Sequence, residues 1–254
     1  MVEATSSDVI QQGHTYQYDV FVIGGGSGGV SCARNARKAG LNVALADFVK
    51  PTPSGTKWGI GGTCVNVGCI PKKMMHYAAN LAHGRSDMIA TGWDIQESQG
   101  PSWETMIGNI TMHIRSLNFG YLMDFNQLGI KYFNEYATFI DAHTEQLEKA
   151  DGTTQTITAE KIVIAVGGRP TYPEIPGARE FGITSDDLFS LRKPPGKALV
   201  VGASYVALES AGFLSALGFD ARVKIICFMG RSSLNRTEEP LQRREGHEVL
   251  AHRC

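Results

Sequence analysis

A glycine-rich turn constrains the fold of this chain more than any other segment. The apolar run DVFVI stops at GGGSGG, and the stretch that follows, VSCARNARKAG, has helical spacing. A second apolar run, NVALAD, ends in Asp47. A strand, a turn, a helix and a second strand within about 30 residues are typical of a βαβ unit, so the sequence predicts an α/β fold with a parallel sheet.

The turn carries the spacing Gly24-x-Gly26-x-x-Gly29. In dinucleotide-binding turns the first glycine permits the tight turn, the second admits the pyrophosphate, and the third allows close packing of helix on strand. Asp47 stands where an acid binds a ribose hydroxyl, and a carboxylate there disfavours a 2′-phosphate. The motif leaves FAD and NAD as alternatives, beside a turn that binds nothing.

The segment GGTCVNVGC places Cys64 and Cys69 five positions apart, and IPKK follows it. Four intervening residues at the start of a helix predict that the two sulfurs meet across one turn. A helix N-terminus and the cations Lys72 and Lys73 favour the thiolate, the reactive form of cysteine. The pair is a candidate redox dithiol, with an inert structural pair and a zinc site as alternatives.

Zinc is disfavoured because a structural site needs four Cys or His ligands. Cys32, Cys227 and Cys254 lie far from the pair in sequence, and no two histidines have ligand spacing. Cys32, on the first predicted helix, is expected to be a small core residue. The sequence therefore predicts no metal site, and five cysteines in 254 residues are too sparse for a disulphide scaffold.

A second glycine turn follows the apolar run ALVV, with Gly202, Ser204 and Ala207 at the three positions of the motif. Ser204 replaces the usual middle glycine, so this turn is the weaker signal of the two. The two strand–turn–helix starts, roughly 180 residues apart, predict two nucleotide-binding domains.

Between the turns the pattern predicts a helix from Cys64 through KKMMHYAANLAHG and an amphipathic helix from about Trp103 to Leu128. Short strands KYF, ATFI, EQLEK and TQTITA follow, and then a buried strand in KIVIAV. Beyond the helix YVALESAGFLSALG, the run ARVKIICFM predicts one more strand. The polar residues after it are expected to pack on nothing.

Composition disfavours several classes of protein. A net charge of −1 gives no basic excess for nucleic acid, and no apolar run approaches the roughly 20 residues that span a bilayer. The first 20 residues contain no Lys or Arg, which both signal and transit peptides require. The expectation is a soluble cytoplasmic protein without nucleic-acid or membrane partners.

Four segments together carry a resemblance to a known family: DVFVIGGGSGG, GGTCVNVGCIPKK, AVGGRP and GASYVALE. From about Tyr18 to Asp220 the chain resembles the pyridine nucleotide-disulphide oxidoreductases, the family of glutathione reductase and lipoamide dehydrogenase. The flanks DFVKPTPSGTKWGIGG and MMHYAANL are most similar to the high-molecular-weight thioredoxin reductases of animals. That subfamily makes a mitochondrial form the alternative to a cytoplasmic one.

The resemblance implies FAD in the first domain, NADPH in the second, and electron flow from nicotinamide through flavin to a Cys64–Cys69 disulphide. It implies that Cys69 lies against the flavin and that Cys64 passes electrons onward. Lys72 would lie near the flavin N5 and pair with Glu209, and Tyr205 would cover the flavin until nicotinamide displaces it. The candidate cofactor-binding residues are Gly24, Gly26, Ser27, Gly28, Gly29, Asp47, Gly62, Thr63, Lys72, Gly167, Gly202, Ser204, Tyr205 and Ala207.

The resemblance also suggests a domain plan and a function. The expected parts are an N-terminal extension (1–17), the first part of a Rossmann-like FAD-binding domain with a small antiparallel meander (18–170), the start of an NADPH-binding domain (171–222) and a divergent tail (223–254). The leading hypothesis is a reductase of thioredoxin or another disulphide; the alternatives are a catalytically silent FAD-binding fragment and a glutathione reductase. The family is homodimeric, and the sequence lacks its interface domain.

Overall fold

The computed structural model describes residues 15–95, 101–225 and 248–251, which fall into two compact units. The first unit contains the described residues up to Val49, Ile60–Gly62 and Asn118–Gly167. The second contains Lys50–Gly59, Thr63–Leu117 and the described residues from Gly168 onward. Most of the predicted N-terminal extension, Cys227, Cys254 and part of the run ARVKIICFM lie outside the described residues.

The described elements are helices and strands in the mixture that the sequence predicts, so the α/β class is confirmed. The helices are α1 (Ser27–Lys38), α2 (Gly62–Val67), α3 (Cys69–Ala90), α4 (Trp103–Leu128), α5 (Ala178–Phe181), α6 (Ser185–Leu188) and α7 (Tyr205–Ala216). The strands are β1 (Tyr18–Ile23), β2 (Val43–Ala46), β3 (Lys131–Phe133), β4 (Tyr136–Phe139), β5 (Thr144–Glu148), β6 (Thr154–Ile164), β7 (Gly182–Ile183), β8 (Ala198–Val201), β9 (Ala221–Lys224) and β10 (Glu248–Ala251). Among the described helices, none is long and apolar enough to cross a membrane.

The first unit is built on a six-stranded sheet in the order β3-β2-β1-β6-β5-β4. β1 pairs in parallel with β2 on one side and with β6 on the other, and β3 extends the parallel part beyond β2. β4, β5 and the first half of β6 form the antiparallel meander. α1 joins β1 to β2, and its buried side chains Val30 and Ala33, three residues apart, belong to the core cluster that contains Phe125 of α4.

β6 differs from the sequence prediction, which has two strands, TQTITA and KIVIAV, where the structure has one of 11 residues. Residues 154–158 pair antiparallel with β5, and residues 159–164 lie along β1 in parallel. A change of partner within one strand is a long-range choice that a local pattern does not encode. The predicted burial is wrong at the end of this segment, since Ile164 and Val166 are each 66% exposed.

The second unit has a four-stranded sheet in the order β7-β10-β8-β9, with every pair parallel. α7 follows β8 and packs against α3. Phe213 and Leu214 of α7 are fully buried in one core cluster with Met75 of α3. Because α3 begins at Cys69, this packing holds the helix that carries the second cysteine of the pair.

Residues 248–251 correct one sequence expectation. The polar tail is expected to pack on nothing, yet these residues form β10 between β7 and β8. Leu250 is in register with Ile183 on one side and with Val200 on the other. Backbone N–H and C=O groups supply this pairing and need no sustained apolar period, so the sequence pattern did not show it.

A fully buried carboxyl group lies in the meander of the first unit. Glu145 of β5 has no exposed surface, and within the described residues neither of its carboxylate oxygens has a hydrogen-bond partner. Its cross-strand neighbour Ile157 is buried, as is Leu147 two positions along the strand. Burial and the charge of Asp141 raise the pKa of Glu145 to about 7, although His143 acts in the opposite direction.

We expect the folded state to lose stability as the pH rises through the range in which Glu145 ionises. Its pKa is about 7 in the folded chain against an ordinary 4.5, so the penalty is absent below about pH 4.5 and complete above about pH 7. Glu145→Leu removes the ionisable group and should raise the free energy of unfolding at pH 8 by roughly 1–3 kcal/mol. Urea unfolding at pH 5.5 and pH 8 measures the difference.

Glu148→Leu is the matched control, because Glu148 is exposed on the same strand. It should leave the pH dependence as it is in the unmodified chain. An unchanged pH dependence in Glu145→Leu would contradict the assignment of the effect to this carboxyl group.

Candidate functional site

Backbone segments of the first unit approach each other at the glycine turn so closely that side chains have no room. A Cβ added to Gly29 would overlap the carbonyl oxygen of Gly24, and one added to Gly24, whose φ is +111°, would overlap that of Ala165. A Cβ on Gly62 would lie 2.5 Å from the Cα of Gly26. The turn opens α1, whose first N–H groups have no intrahelical partners. This cradle has the close approach and the donors that a pyrophosphate requires.

Asp47 lies directly after β2, at the same turn. Its backbone N–H donates to the carbonyl oxygen of Phe133 over 2.9 Å, and its carboxylate accepts a hydrogen bond from the backbone N–H of Gly25. Burial raises the pKa of Asp47, and the Gly25 hydrogen bond acts against that rise. Ser27 and Gly28, at the start of α1, are exposed, with open space around Gly28. The acid therefore has the position, after the second strand, that ribose binding requires.

The second glycine turn belongs to the second unit and follows β8. Gly202 has a φ of +129°, a conformation that favours glycine. The hydroxyl of Ser204 accepts the backbone N–H of Ala207 over 3.5 Å, so this serine caps α7. Ala207 is buried where the motif has its third small residue. The serine that weakens the motif in sequence thus starts the helix in the structure.

The two cysteines lie on different helices, Cys64 within α2 and Cys69 at the first position of α3. Gly68 lies between the two helices, and its backbone angles are φ −145° and ψ −116°. A Cβ there would lie 2.9 Å from the carbonyl oxygen of Thr63 and 3.3 Å from the Cα of Cys64, so glycine lets the chain fold back on itself. The expectation of one continuous helix from Cys64 is wrong because α2 ends at Val67.

The surroundings of Cys64 raise the pKa of its thiol. Burial is the largest cause, followed by a side-chain hydrogen bond with Cys69 and by the charge of that neighbour, and the pKa reaches about 11. The backbone N–H of Cys69 and the charge of Lys72 act in the opposite direction but do not prevail. The prediction that the helix terminus and the lysines favour a thiolate is therefore wrong for Cys64, because desolvation disfavours the charged form.

Lys72 is nearly buried, and two side chains of α7 contact it. Its Nζ lies 2.6 Å from Oε2 of Glu209 and 4.3 Å from the centroid of the Tyr205 ring. The side chain of Lys72 is 10% exposed and that of Glu209 49%. Tyr205 and Glu209 are four residues apart, so one face of α7 presents both to the cation. The structure thus brings together the three side chains that the resemblance groups around one cofactor. One of them, Lys72, stands three residues after Cys69.

The remaining candidate residues have less distinctive surroundings. Thr63 and Gly167 are exposed, and Gly167 has a φ of +65° with open space around it. Cys32 is partly buried against the core of the first unit. In the part of the chain that the structure describes, no three His, Cys, Asp or Glu side chains are grouped as metal ligands would be.

Sequence reasoning missed the contact that holds the segment between the cysteines. Asn66 is 4% exposed, and its Nδ2 donates to the carbonyl oxygen of Gly59 over 3.1 Å. Gly59 ends a loop in which Trp58 stacks under Arg169, whose Cζ lies 4.5 Å from the ring centroid. Side-chain bonds to the backbone of a loop have no periodic signal in sequence, so only the asparagine in CVNVGC marks this contact.

Comparison with known proteins agrees with this geometry. Residues 18–250 match the family described as pyridine nucleotide-disulphide oxidoreductase. Because the match covers most of the chain, the chain belongs to the pyridine nucleotide-disulphide oxidoreductase family.

Within this family, the chain is similar to thioredoxin reductases. Over 207 residues the chain is 58% identical to thioredoxin reductase SEP1 of Emiliania huxleyi, a match that covers 82% of this chain and 42% of that protein. Over 212 residues it is 49% identical to thioredoxin reductase 2, mitochondrial, of Drosophila melanogaster, covering 83% and 41% respectively. The chain thus spans less than half the length of these relatives.

Neighbouring glycines of the first turn should respond differently to the same substitution. Gly29→Ala places a Cβ against the Gly24 carbonyl oxygen, and we expect it to lower the free energy of unfolding by at least about 2 kcal/mol. Gly28→Ala meets no atom within 4 Å, and its helical position predicts no loss or a gain of up to about 1 kcal/mol. Urea unfolding of both variants measures the difference, and equal losses would contradict the contact.

The charge of Lys72 should be measurable at Cys64. Lys72→Met removes the cation that lowers the pKa of Cys64, so the pKa should rise above about 11 and alkylation of Cys64 at pH 9 should slow by roughly two- to tenfold. Peptide-resolved mass spectrometry after iodoacetamide treatment reports the rate. Lys73→Met, at an exposed lysine one position further on, is the control and should leave the rate unchanged.

Proposed function

We propose that this chain is an NADPH-dependent, FAD-containing disulphide reductase that acts through Cys64 and Cys69, with thioredoxin as its substrate. The observation that carries the proposal is the contact of Lys72, one helical turn after Cys69, with Glu209 and Tyr205 of α7. A nearly buried lysine held by a carboxylate supplies a fixed positive charge, which would stabilise a reduced flavin bound near it. Both relatives bear the name thioredoxin reductase, which supports the choice of substrate.

FAD is the cofactor proposed for the first glycine turn. The cradle around Gly24, Gly26 and Gly29, in which Gly24 and Gly29 leave no room for a Cβ, and the half-buried Asp47 fit a dinucleotide with a free ribose hydroxyl. When bound, the flavin would take hydride from NADPH and deliver two electrons to a disulphide. The further proposed contacts to FAD are Ser27, Gly28, Gly62, Thr63, Lys72 and Gly167. NADPH is proposed for the second turn, at Gly202, Ser204, Tyr205 and Ala207.

The chain's own side chains would carry out thiol–disulphide exchange with the substrate. The thiolate of Cys64 attacks one substrate sulfur, a mixed disulphide forms, and the other substrate sulfur leaves as a thiolate. Cys69 then attacks Cys64, which closes the Cys64–Cys69 bond and releases the second substrate thiol. Since the pKa of Cys64 is about 11, its proton must pass to a base or to solvent before the attack.

A catalytically silent FAD-binding fragment is the second candidate. One observation favours it: Ile164, the last residue of β6, and Val166, two positions further on, expose apolar surface. Glutathione disulphide is a third possibility for the substrate, because the dithiol chemistry is the same and only the flanking sequences and the names of the two relatives favour thioredoxin. A cytoplasmic location stays a prediction.

The visible spectrum of the purified chain separates the first two candidates. After incubation with FAD and gel filtration, a reductase should retain flavin absorbance, which NADPH bleaches while a long-wavelength charge-transfer band develops. Cys69→Ser should keep the flavin and lose that band, whereas Cys32→Ser, outside the pair, should keep both. Retained flavin absorbance that NADPH does not bleach would favour the silent FAD-binding fragment, and a colourless protein would contradict both candidates.

The substrate is then assigned from NADPH oxidation. We expect oxidation with thioredoxin and little with glutathione disulphide, and the reverse order would contradict thioredoxin as the substrate. Cys64→Ser should abolish oxidation with either substrate, because the attacking sulfur is gone.

A further inference from the structure

We propose that Asn66 is a positioning residue of the dithiol, held in place by residues 50–59, which we term the anchoring loop. Two anchor points fix this loop, one at Arg169 with Asp186 and one at Asp187. The inference rests on the proposed dithiol chemistry of Cys64 and Cys69. It concerns what keeps their two sulfurs within reach of each other.

Asn66 stands between the cysteines, two positions after Cys64 and three before Cys69. Its side chain is buried, and the bond from its Nδ2 to the Gly59 carbonyl oxygen joins α2 to the end of the anchoring loop. A donor buried in this way loses free energy if its acceptor moves, so the position of Gly59 constrains the orientation of α2. Gly68 lies between the two helices, and the bond from Asn66 to Gly59 restrains α2, the helix before it.

Arg169 fixes the end of the anchoring loop that leads to Gly59. Its Nε lies 2.7 Å from Oδ2 of Asp186, whose side chain is 2% exposed. Its guanidinium covers the ring of Trp58, the residue before Gly59, and its Nη1 donates to the carbonyl oxygen of Lys50 over 3.4 Å. One planar side chain thus contacts both ends of the loop and a buried carboxylate, a geometry that lysine cannot reproduce.

Asp187 fixes the start of the loop. The hydroxyl of Thr52 donates a hydrogen bond to Oδ1 of Asp187 over 2.6 Å. Its oxygen accepts a hydrogen bond from the backbone N–H of Thr56 over 2.9 Å. Thr52 is 6% exposed and Asp187 is 2% exposed. Asp187 also closes the capping box of α6 with Thr184, so its carboxylate is held by a helix start.

These contacts give the loop a role in the redox equilibrium. The segment PTPSGTKWG has no helix or strand, and without its anchors it would sample many conformations. The Gly59 carbonyl oxygen would then no longer hold Asn66 in one place, and the two sulfurs would spend less time in bonding distance. Loosening the loop should therefore destabilise the Cys64–Cys69 disulphide relative to the dithiol.

The test is the equilibrium of the full chain with dithiothreitol. As the Cys64–Cys69 bond forms, oxidised dithiothreitol accepts two electrons and two protons and its own disulphide opens; alkylation and mass spectrometry count both forms. Asn66→Leu, similar in size but without the donor, should lower the equilibrium constant for disulphide formation about two- to tenfold, the range expected for one net hydrogen bond. Arg169→Gln and Thr52→Val should shift it in the same direction.

Arg222→Gln is the matched control, because it removes an arginine of the same unit whose ion pair with Asp220 is exposed. Thermal unfolding of each variant is measured alongside, since a merely structural role lowers the melting temperature without moving the redox equilibrium. If Asn66→Leu does not fold, Arg169→Gln and Thr52→Val decide the outcome from outside the dithiol turn. Arg169→Lys should shift the constant nearly as far as Arg169→Gln, because the stacked fork is lost in both.

The outcomes separate the two levels of the proposal. An equilibrium constant within the error of the unmodified chain in the folded loop variants overturns the positioning role, even if the dithiol itself is active. Failure of the unmodified chain to form any internal Cys64–Cys69 disulphide overturns the proposed dithiol chemistry.

Discussion

The close approach of backbone to backbone, where no Cβ fits, is the constraint on which both units depend. In the first unit α1 lies against the sheet because Gly29 and Gly24 have no Cβ. A Cβ on Gly29 would overlap the carbonyl oxygen of Gly24, and one on Gly24 would overlap that of Ala165. In the second unit Gly68 lets the start of α3 return to the backbone of Thr63 and Cys64. Each contact is short because the residue is glycine, and a larger residue would push the two backbone segments apart. Close approach of this kind lets a pyrophosphate reach N–H groups and lets two sulfurs come near each other.

Burial, more than formal charge, sets the chemistry of the dithiol. A cation within reach would be expected to produce a thiolate, but desolvation, together with the hydrogen bond and the charge of Cys69, outweighs it at Cys64. Lys72 is itself nearly buried and directs its charge to Glu209 and the ring of Tyr205. The same desolvation acts on Glu145 far along the chain, where the opposing effect of His143 does not prevail. Charge in the sequence is therefore a weak guide to protonation unless burial is known.

Contacts distant in sequence hold the most irregular segments. The anchoring loop is fixed by carboxylates more than 100 positions away, and β10 pairs with strands about 50 and 65 positions before it. Hydrogen bonds from side chain to backbone and from backbone to backbone carry these contacts, and neither kind depends on an apolar period. They explain why a proline- and glycine-rich loop is held in place and why residues 248–251 form a strand.

The sequence by itself determined the α/β class, the two strand–turn–helix starts, the bounds of α4 and the family, because glycine spacing and helical periodicity are local properties of a chain. It also named Cys64, Cys69 and Lys72 from their spacing and charge, whereas Glu209 was named only through the resemblance. Only the tertiary structure decided that α2 and α3 are separate helices, that β6 serves two kinds of pairing, and that Asn66 bonds to Gly59. Those features depend on burial and on contacts between residues that are far apart in sequence. A local sequence pattern does not encode either of them.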